Sequence, residues 1–374
     1  MQNLTTPRSF FSRSSIFAAS VIAVMGMTQV ASAQFYVKIT DRAAGLAGGA
    51  ASPNLVTGVV SSDSPNTVYN VVSGAVSGTA SHRITSSTGL SPFSTDSINT
   101  QLVATSTWNA ASGGANSIVG LLYDIGTQLQ IVDTSGTGTR AIYRINKLGG
   151  AVTNYVSNST LNTAIGTTSG SIITSTFNPT NSNPVFYSNF NQNILQATGA
   201  NTVSQIVDVN DAPFGTNLNF AGLTMSPTGT IYFGNNNTNV DANARGLWSY
   251  NGTSFNLLLD LPEGSGSDDN FSNGALFYAP DNLIYYRNTL GDIRTFNPSS
   301  SAVATVLTSA QLLAGPAGGS LVTNFTWFDG RIAWINGATA SSGINQGLYA
   351  LPEPATLSLL LAGGTVLLGR RRSR

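Results

Sequence analysis

The stretch Gly222-Leu-Thr-Met-Ser-Pro-Thr-Gly-Thr-Ile-Tyr-Phe-Gly234, continued by Gly246-Leu-Trp-Ser-Tyr250 and Ser254-Phe-Asn-Leu-Leu-Leu259, decides how this chain folds. An apolar strand runs into Pro227-Thr228-Gly229, residues suited to a tight hairpin turn. A second strand follows, then a polar loop, a short strand ending in an aromatic residue, and a fourth strand. Side chains alternate along a strand, so Ile231 and Phe233 share one face and Tyr232 lies on the other. A strand that is apolar on both faces belongs between two packed layers.

The pattern recurs along the chain. Gly274-Ala-Leu-Phe-Tyr-Ala-Pro-Asp-Asn-Leu-Ile-Tyr-Tyr286 leads to Gly291-Asp-Ile-Arg-Thr-Phe296 and Ala302-Val-Ala-Thr-Val-Leu307. Another copy runs from Asn324 through Ile335 to Gly347-Leu-Tyr349. Weaker copies span Gly120–Val132 with Ala141–Ile145, and Pro184–Ser188 with Asn193–Gln196. The second strands begin near Leu129, Val185, Ile231, Leu283 and Ile332, at spacings of 56, 46, 52 and 49. Units of about 50 residues with four strands each are the signature of an all-β propeller. The five units resemble blades of extracellular β-propellers, without a blade motif specific to one family. Residues 34–118 are rich in Ser, Gly and Ala; Phe35–Ile39 and Gln101–Thr105 are their strand-like stretches. They are expected to add one or two weak blades to the repeats of 119–351, giving five to seven in all, with a partly mobile loop over 43–118 as the alternative. A β-sandwich pair or a β-helix is the alternative architecture, and the irregular long period speaks against the helix.

The two ends differ from the body in composition. Arg8 and Arg13 precede an apolar run from Ile16 to Met27, and Ala31-Ser32-Ala33 fits a small-x-small cleavage site. Residues 1–33 therefore read as a signal peptide, with Gln34 the first mature residue. At the other end, Pro352-Glu353-Pro354 is followed by the apolar stretch Ala355–Gly369 and the basic cluster Arg370, Arg371, Arg372 and Arg374. Arginines resist crossing a membrane, so the body is expected on the far side from the cytoplasm. The stretch would form a helix of roughly 22 Å, short of a bilayer core of about 30 Å, and Gly363-Gly364 interrupts it. Residues 352–374 resemble the PEP-CTERM sorting tails. That resemblance implies recognition by a membrane-embedded transpeptidase, exosortase, cleavage near the triplet, and a Gram-negative host that makes extracellular polysaccharide. A sortase signal would require Thr-Gly after Leu-Pro-x, whereas Leu351-Pro352-Glu353 is followed by Pro354-Ala355.

Charge and residue inventory narrow the chemistry. The chain is formally neutral, with 16 basic and 16 acidic residues. Setting aside the terminal arginines and Glu353 leaves a body with 10 basic and 15 acidic residues, including two lysines, Lys38 and Lys147. Such a body offers no cationic stripe for nucleic acid. There is no cysteine, and His82 is the single histidine, so imidazole- or thiolate-built metal sites and a Cys-based framework are excluded. A Ser-His-Asp triad would need His82, and no Gly-x-Ser-x-Gly elbow is present. Asp208, Asp211, Asp268 and Asp269 are the candidate oxygen ligands for Ca²⁺, although Asp and Asn in such clusters more often build turns. Trp248, Trp327 and Trp334 could line a sugar-binding surface, but their strand positions favour the core. The expectation is an exported, non-enzymatic binding or structural scaffold with no required cofactor. Exosortase, the secretion machinery, the membrane and extracellular polysaccharide are its expected partners. A carbohydrate-active propeller enzyme and a purely structural envelope protein are the alternatives.

Overall fold

Each repeat unit becomes one four-stranded antiparallel sheet. The structure is a computed structural model describing residues 36–41, 54–76, 79–88, 98–113, 120–133, 140–166, 172–188, 193–208, 220–236, 245–261, 271–316, 318–319, 322–336 and 347–352. After a short opening strand, β1 (Val37–Asp41), the first blade joins β2 (Asn54–Val60), β3 (Val68–Val76), β4 (Thr79–Thr88) and β5 (Ile98–Val103). The second contains β6 (Leu122–Asp124), β7 (Gln128–Val132), β8 (Ile142–Asn146) and β9 (Val152–Val156). The third contains β10 (Ile172–Phe177), β11 (Pro184–Ser188), β12 (Asn193–Gly199) and β13 (Thr202–Asp208). The fourth is β14 (Phe220–Met225), β15 (Ile231–Asn235), β16 (Gly246–Tyr250) and β17 (Phe255–Asp260), and the fifth β18 (Phe271–Tyr278), β19 (Ile284–Asn288), β20 (Ile293–Asn297) and β21 (Ala302–Leu307). The sixth takes β22 (Val322–Phe328), β23 (Arg331–Asn336) and β24 (Gly347–Ala350) from the end of the chain and β1 from its start.

First strands of neighbouring sheets pack against one another, β2 against both β22 and β6, β14 against β10 and β18, and β18 against β22. These strands form the hub, and the chain is a six-bladed β-propeller. The sandwich and helix alternatives are not formed. Residues 54–103 build one complete blade, whereas Val37–Asp41 adds no blade of its own and finishes the last one.

Six hydrophobic clusters occupy the six interfaces between blades. Ile231, Phe233 and Trp248 meet Val185, Tyr187 and Ile194 of the third blade. Tyr232, on the opposite face of the same strand, meets Ile284 and Tyr286 of the fifth. Tyr285 in turn packs toward Phe325 and Trp334 of the sixth. Val68 and Val72 meet Ala333, Ile335 and Leu348, closing the circle. Alternation along each second strand thus feeds two cores at once, which is why these strands are apolar on both faces.

The blades share a register device. The fourth strand slips against the third just after Ile84, Ile142, Ile194, Leu247, Ile293 and Leu348. All six of these side chains are completely buried, at 0% exposure, which identifies the first blade as a full member of the ring despite its polar sequence. A bulge sharpens local twist, so a bulge at one place in every sheet lets the sheets fan alike around the axis.

Turn chemistry follows the sequence closely. The Ser226 amide donates to the Thr230 carbonyl and the Gly229 amide to the Ser226 carbonyl, with Gly229 at φ +87°. Asn282, at φ +65°, takes the same place in the fifth blade. Asp329-Gly330, at φ +50° and +75°, forms the two-residue hairpin of the sixth, the type I′ geometry that matches strand twist. Short helices α1 (Thr105–Ser112), α2 (Asn158–Ile165) and α3 (Ser309–Ala314) follow the fourth strands of the first, second and fifth blades. Each buries one or two apolar side chains: Trp108; Leu161 and Ile165; and Leu312.

Candidate functional site

Antiparallel order gives the ring two distinct faces. One carries the first-to-second and third-to-fourth strand turns; it is called the turn face below. β24 runs toward this face and β1 leaves it, because Val37 pairs with Ala350 and Asp41 with Gly347. The start of β1 and the end of β24, the first and last strands of the described residues, therefore meet at one point on one face.

Tyr36 anchors that seam. Its ring is fully buried, edge-on to Trp334 at 5.2 Å and to Tyr349 at 5.5 Å, and its hydroxyl donates to the Leu312 carbonyl at 2.6 Å. Gly315, just past α3, makes room for the ring: a Cβ there would sit 2.4 Å from a ring carbon. On the side of β24 away from β1, the Leu351 amide donates to the Ile332 carbonyl of β23 at 3.3 Å. Arg331 donates through Nη1 to the Leu351 carbonyl at 3.0 Å and through Nη2 to Asp329 Oδ2 at 3.0 Å. The residue immediately before Pro352 is thus held on both sides of its peptide, and Pro352 itself is half-buried.

Charged side chains elsewhere on the turn face tie blades together. Lys147, in the turn after β8, is buried and donates to Asp124 Oδ2 at 2.7 Å and Asp63 Oδ1 at 2.9 Å. Asp124 also accepts from the Ser62 amide at 2.6 Å and the Gly126 amide at 2.9 Å. Its carboxylate so joins the first blade's turn to the second blade. Ser61 donates through Oγ to Asp63, and the Lys147 ammonium lies 5.6 Å from the centre of the Tyr69 ring. Burial works against the Lys147 charge, but its hydrogen bonds and attraction to both carboxylates outweigh this and raise its pKa above the ordinary value. The Asp63 carboxyl is held below its ordinary value, chiefly by the Ser61 and Lys147 hydrogen bonds.

Further ties run around the ring. Asn324 Nδ2 donates to Thr57 Oγ1 at 2.6 Å between the sixth and first blades. Tyr123 and Ser175 hydroxyls lie 3.2 Å apart between the second and third, where burial drives the Tyr123 pKa far upward. Thr180 Oγ1 donates to the Pro227 carbonyl at 3.1 Å, and the Tyr278 amide to Thr224 Oγ1 at 2.9 Å.

The residues singled out by sequence are scattered. His82 sits within β4, its backbone opposite Ser73. Asp208 closes β13, while Asp211, Asp268 and Asp269 lie outside the described residues. So do Ala31, Ala33, Glu353, Pro354, Arg370, Arg371, Arg372 and Arg374. Trp248 and Trp334 are buried in the interface clusters, and Trp327 is half-buried against one. Among the described residues there is no group of three or more His, Cys, Asp or Glu placed to hold a metal ion. No helix among them is long and apolar enough to cross a membrane. Sequence reasoning passed over the Arg331 clamp and the Lys147 clasp. The scarcity of lysine was a usable signal: a near-lysine-free body that keeps one in a turn has a structural use for it.

No family model matches the chain, and no curated protein matches it. Among solved structures, a protein of unknown function from Bacteroides thetaiotaomicron is similar over 84% of this chain and 75% of its own, at 12% identity and a TM-score of 0.50. A gluconolactonase from Xanthomonas campestris is similar over 85% of this chain and 95% of its own, at 13% identity and a TM-score of 0.49. The extracellular domain of a one-component system candidate from Bacteroides thetaiotaomicron matches over 86% of this chain and 40% of its own, at 10% identity and a TM-score of 0.45. At this level of identity the likeness is one of fold.

Proposed function

We propose that this chain is an exported bacterial surface or extracellular-matrix protein, sorted by exosortase through residues 352–374, whose propeller is a non-enzymatic binding or structural scaffold. The observation that carries the reading is the junction at Leu351. The last strand among the described residues, β24, ends at Ala350, and the Pro352-Glu353-Pro354 triplet begins two residues later. A separable address attached to a self-contained ring has this layout. The scaffold role rests on where the described charges go: Lys147, Asp124, Asp63, Arg331 and Asp329 hold blades and strands together. Extracellular polysaccharide is the partner class suggested by the hosts that use such tails.

The test has two arms. Glu353→Ala in the native host is expected to leave the protein membrane-associated and unprocessed, whereas wild-type processing of this variant would remove the sorting claim. The purified chain incubated with host polysaccharide is expected to co-sediment without shortening it, and released oligosaccharide fragments would establish an enzyme instead.

A further inference from the structure

The place where the tail leaves the ring determines how the ring is held. We infer that, while the tail keeps the protein at the membrane, the turn face is turned toward the bilayer and the opposite face is presented outward. This inference rests on the proposed membrane-held tail.

Leu351 is fixed to the ring by its amide and carbonyl, and the apolar stretch starts at Ala355. Four residues reach about 14 Å at full extension. A five-residue strand spans about 17 Å from face to face. To turn the ring over, the tether would have to pass around β1 and climb that full thickness, and it is too short. The entering end agrees, since Tyr36 and Val37 sit beside Leu351 and Ala350 on the same face.

The two faces differ in a way that suits this arrangement. Turn-face connections are short, such as 226–230, 279–283, 251–254 and 329–330, with 89–97 the one long exception. On the opposite face the connections after β1, β13, β15, β17 and β23 each contain ten or more residues. Long connections are where binding residues concentrate, and the strand ends that carry these lie on the face away from the bilayer. Among the described residues, the exposed charges of the turn face are the acids Asp63, Asp281 and Asp329; Lys147 and Arg331 are buried. The face thus lies against lipid because of its tether and not by attraction to anionic headgroups.

The full-length chain has no cysteine, so single labels are clean. Ala200→Cys on the third blade and Ser300→Cys on the fifth mark exposed sites on the turn face, and Leu290→Cys marks the opposite face. Each fluorescently labelled protein is reconstituted in phosphatidylethanolamine–phosphatidylglycerol vesicles, or in phosphatidylcholine vesicles, containing nitroxide lipids. Quenching several-fold stronger at Ala200 and Ser300 than at Leu290, in both lipid mixtures, is expected. Equal quenching at all three, or stronger quenching at Leu290, overturns the inference. So does quenching at Ser300 without quenching at Ala200, which would mean the ring stands on its rim. A flexible Gly-Ser linker of about 20 residues placed between Leu351 and Pro352 is expected to erase the difference, and a difference that survives it would show that the tether does not set the orientation. A full-length protein that remains in solution overturns the tail reading and the orientation with it.

Discussion

Replacing Tyr36 by alanine tests ring closure at its anchor. The side chain is fully buried between Trp334 and Tyr349 and bonds to the Leu312 carbonyl. Truncating a buried aromatic to alanine costs about 3–5 kcal/mol, lost burial and the remaining cavity together. Tyr36→Phe keeps the packing and removes only the hydroxyl, leaving one buried carbonyl without its donor, for about 1–2 kcal/mol. Each kcal/mol moves the midpoint of a domain this large by about 2–4 °C, so the alanine variant should melt about 6–20 °C lower and the phenylalanine variant about 2–8 °C lower. Val303→Ala, on the partly exposed outer strand of the fifth blade, is the control and should shift little. Thermal unfolding followed by near-ultraviolet circular dichroism reads all three. A Tyr36→Ala midpoint no lower than that of Tyr36→Phe would mean that β1 is not seated in the sixth blade.

Four other outcomes are expected. Asp124→Asn leaves the buried Lys147 with only the exposed Asp63 and should cost about 3 kcal/mol by denaturant titration, whereas Asp63→Asn, at an exposed partner, should cost under about 1 kcal/mol. Asp63 has a depressed pKa, so its contribution is present above the ordinary carboxyl value and is lost as pH falls through the folded value; Asp63→Asn should flatten the stability profile below about pH 4. Lys147 is raised, and burial pushes Tyr143 and Tyr187 up to about 12. Stability from raised groups is complete below their unfolded values and lost above them, so a steep loss is expected beyond about pH 10, and an unchanged melting temperature at pH 11 would contradict it. Gly246 has φ +153°, and a Cβ there would lie 2.0 Å from the Leu259 carbonyl; Gly246→Ala should cost about 2–5 kcal/mol and is checked by the same titration.

The strand repeat was legible wherever aromatic and branched residues fill both faces, as in Ile231-Tyr232-Phe233 and Ile284-Tyr285-Tyr286. The first blade was faint for a physical reason. Asn70 and Thr85, opposite one another, and Ser87 are all buried where other blades carry larger apolar groups. Asn70 Nδ2 donates to Ser87 Oγ at 3.2 Å, so part of this core is polar and escapes a hydrophobic pattern. Closure by β1 was equally hidden, since Val37 finds its partner Ala350 at the other end of the chain and no local signal announces it. The Arg331 clamp and the Lys147 clasp depend on neighbouring strands and blades and follow from the ring alone. The proposed sorting signal at 352–374, in contrast, rests on a contiguous run of sequence and on no contact of the ring.

The mass of the intact protein recovered from its native host tests the proposed export and processing most directly. A mature chain beginning at Gln34 and lacking Arg370–Arg374 is predicted. A mass that still includes Arg374 would contradict the proposed processing of residues 352–374.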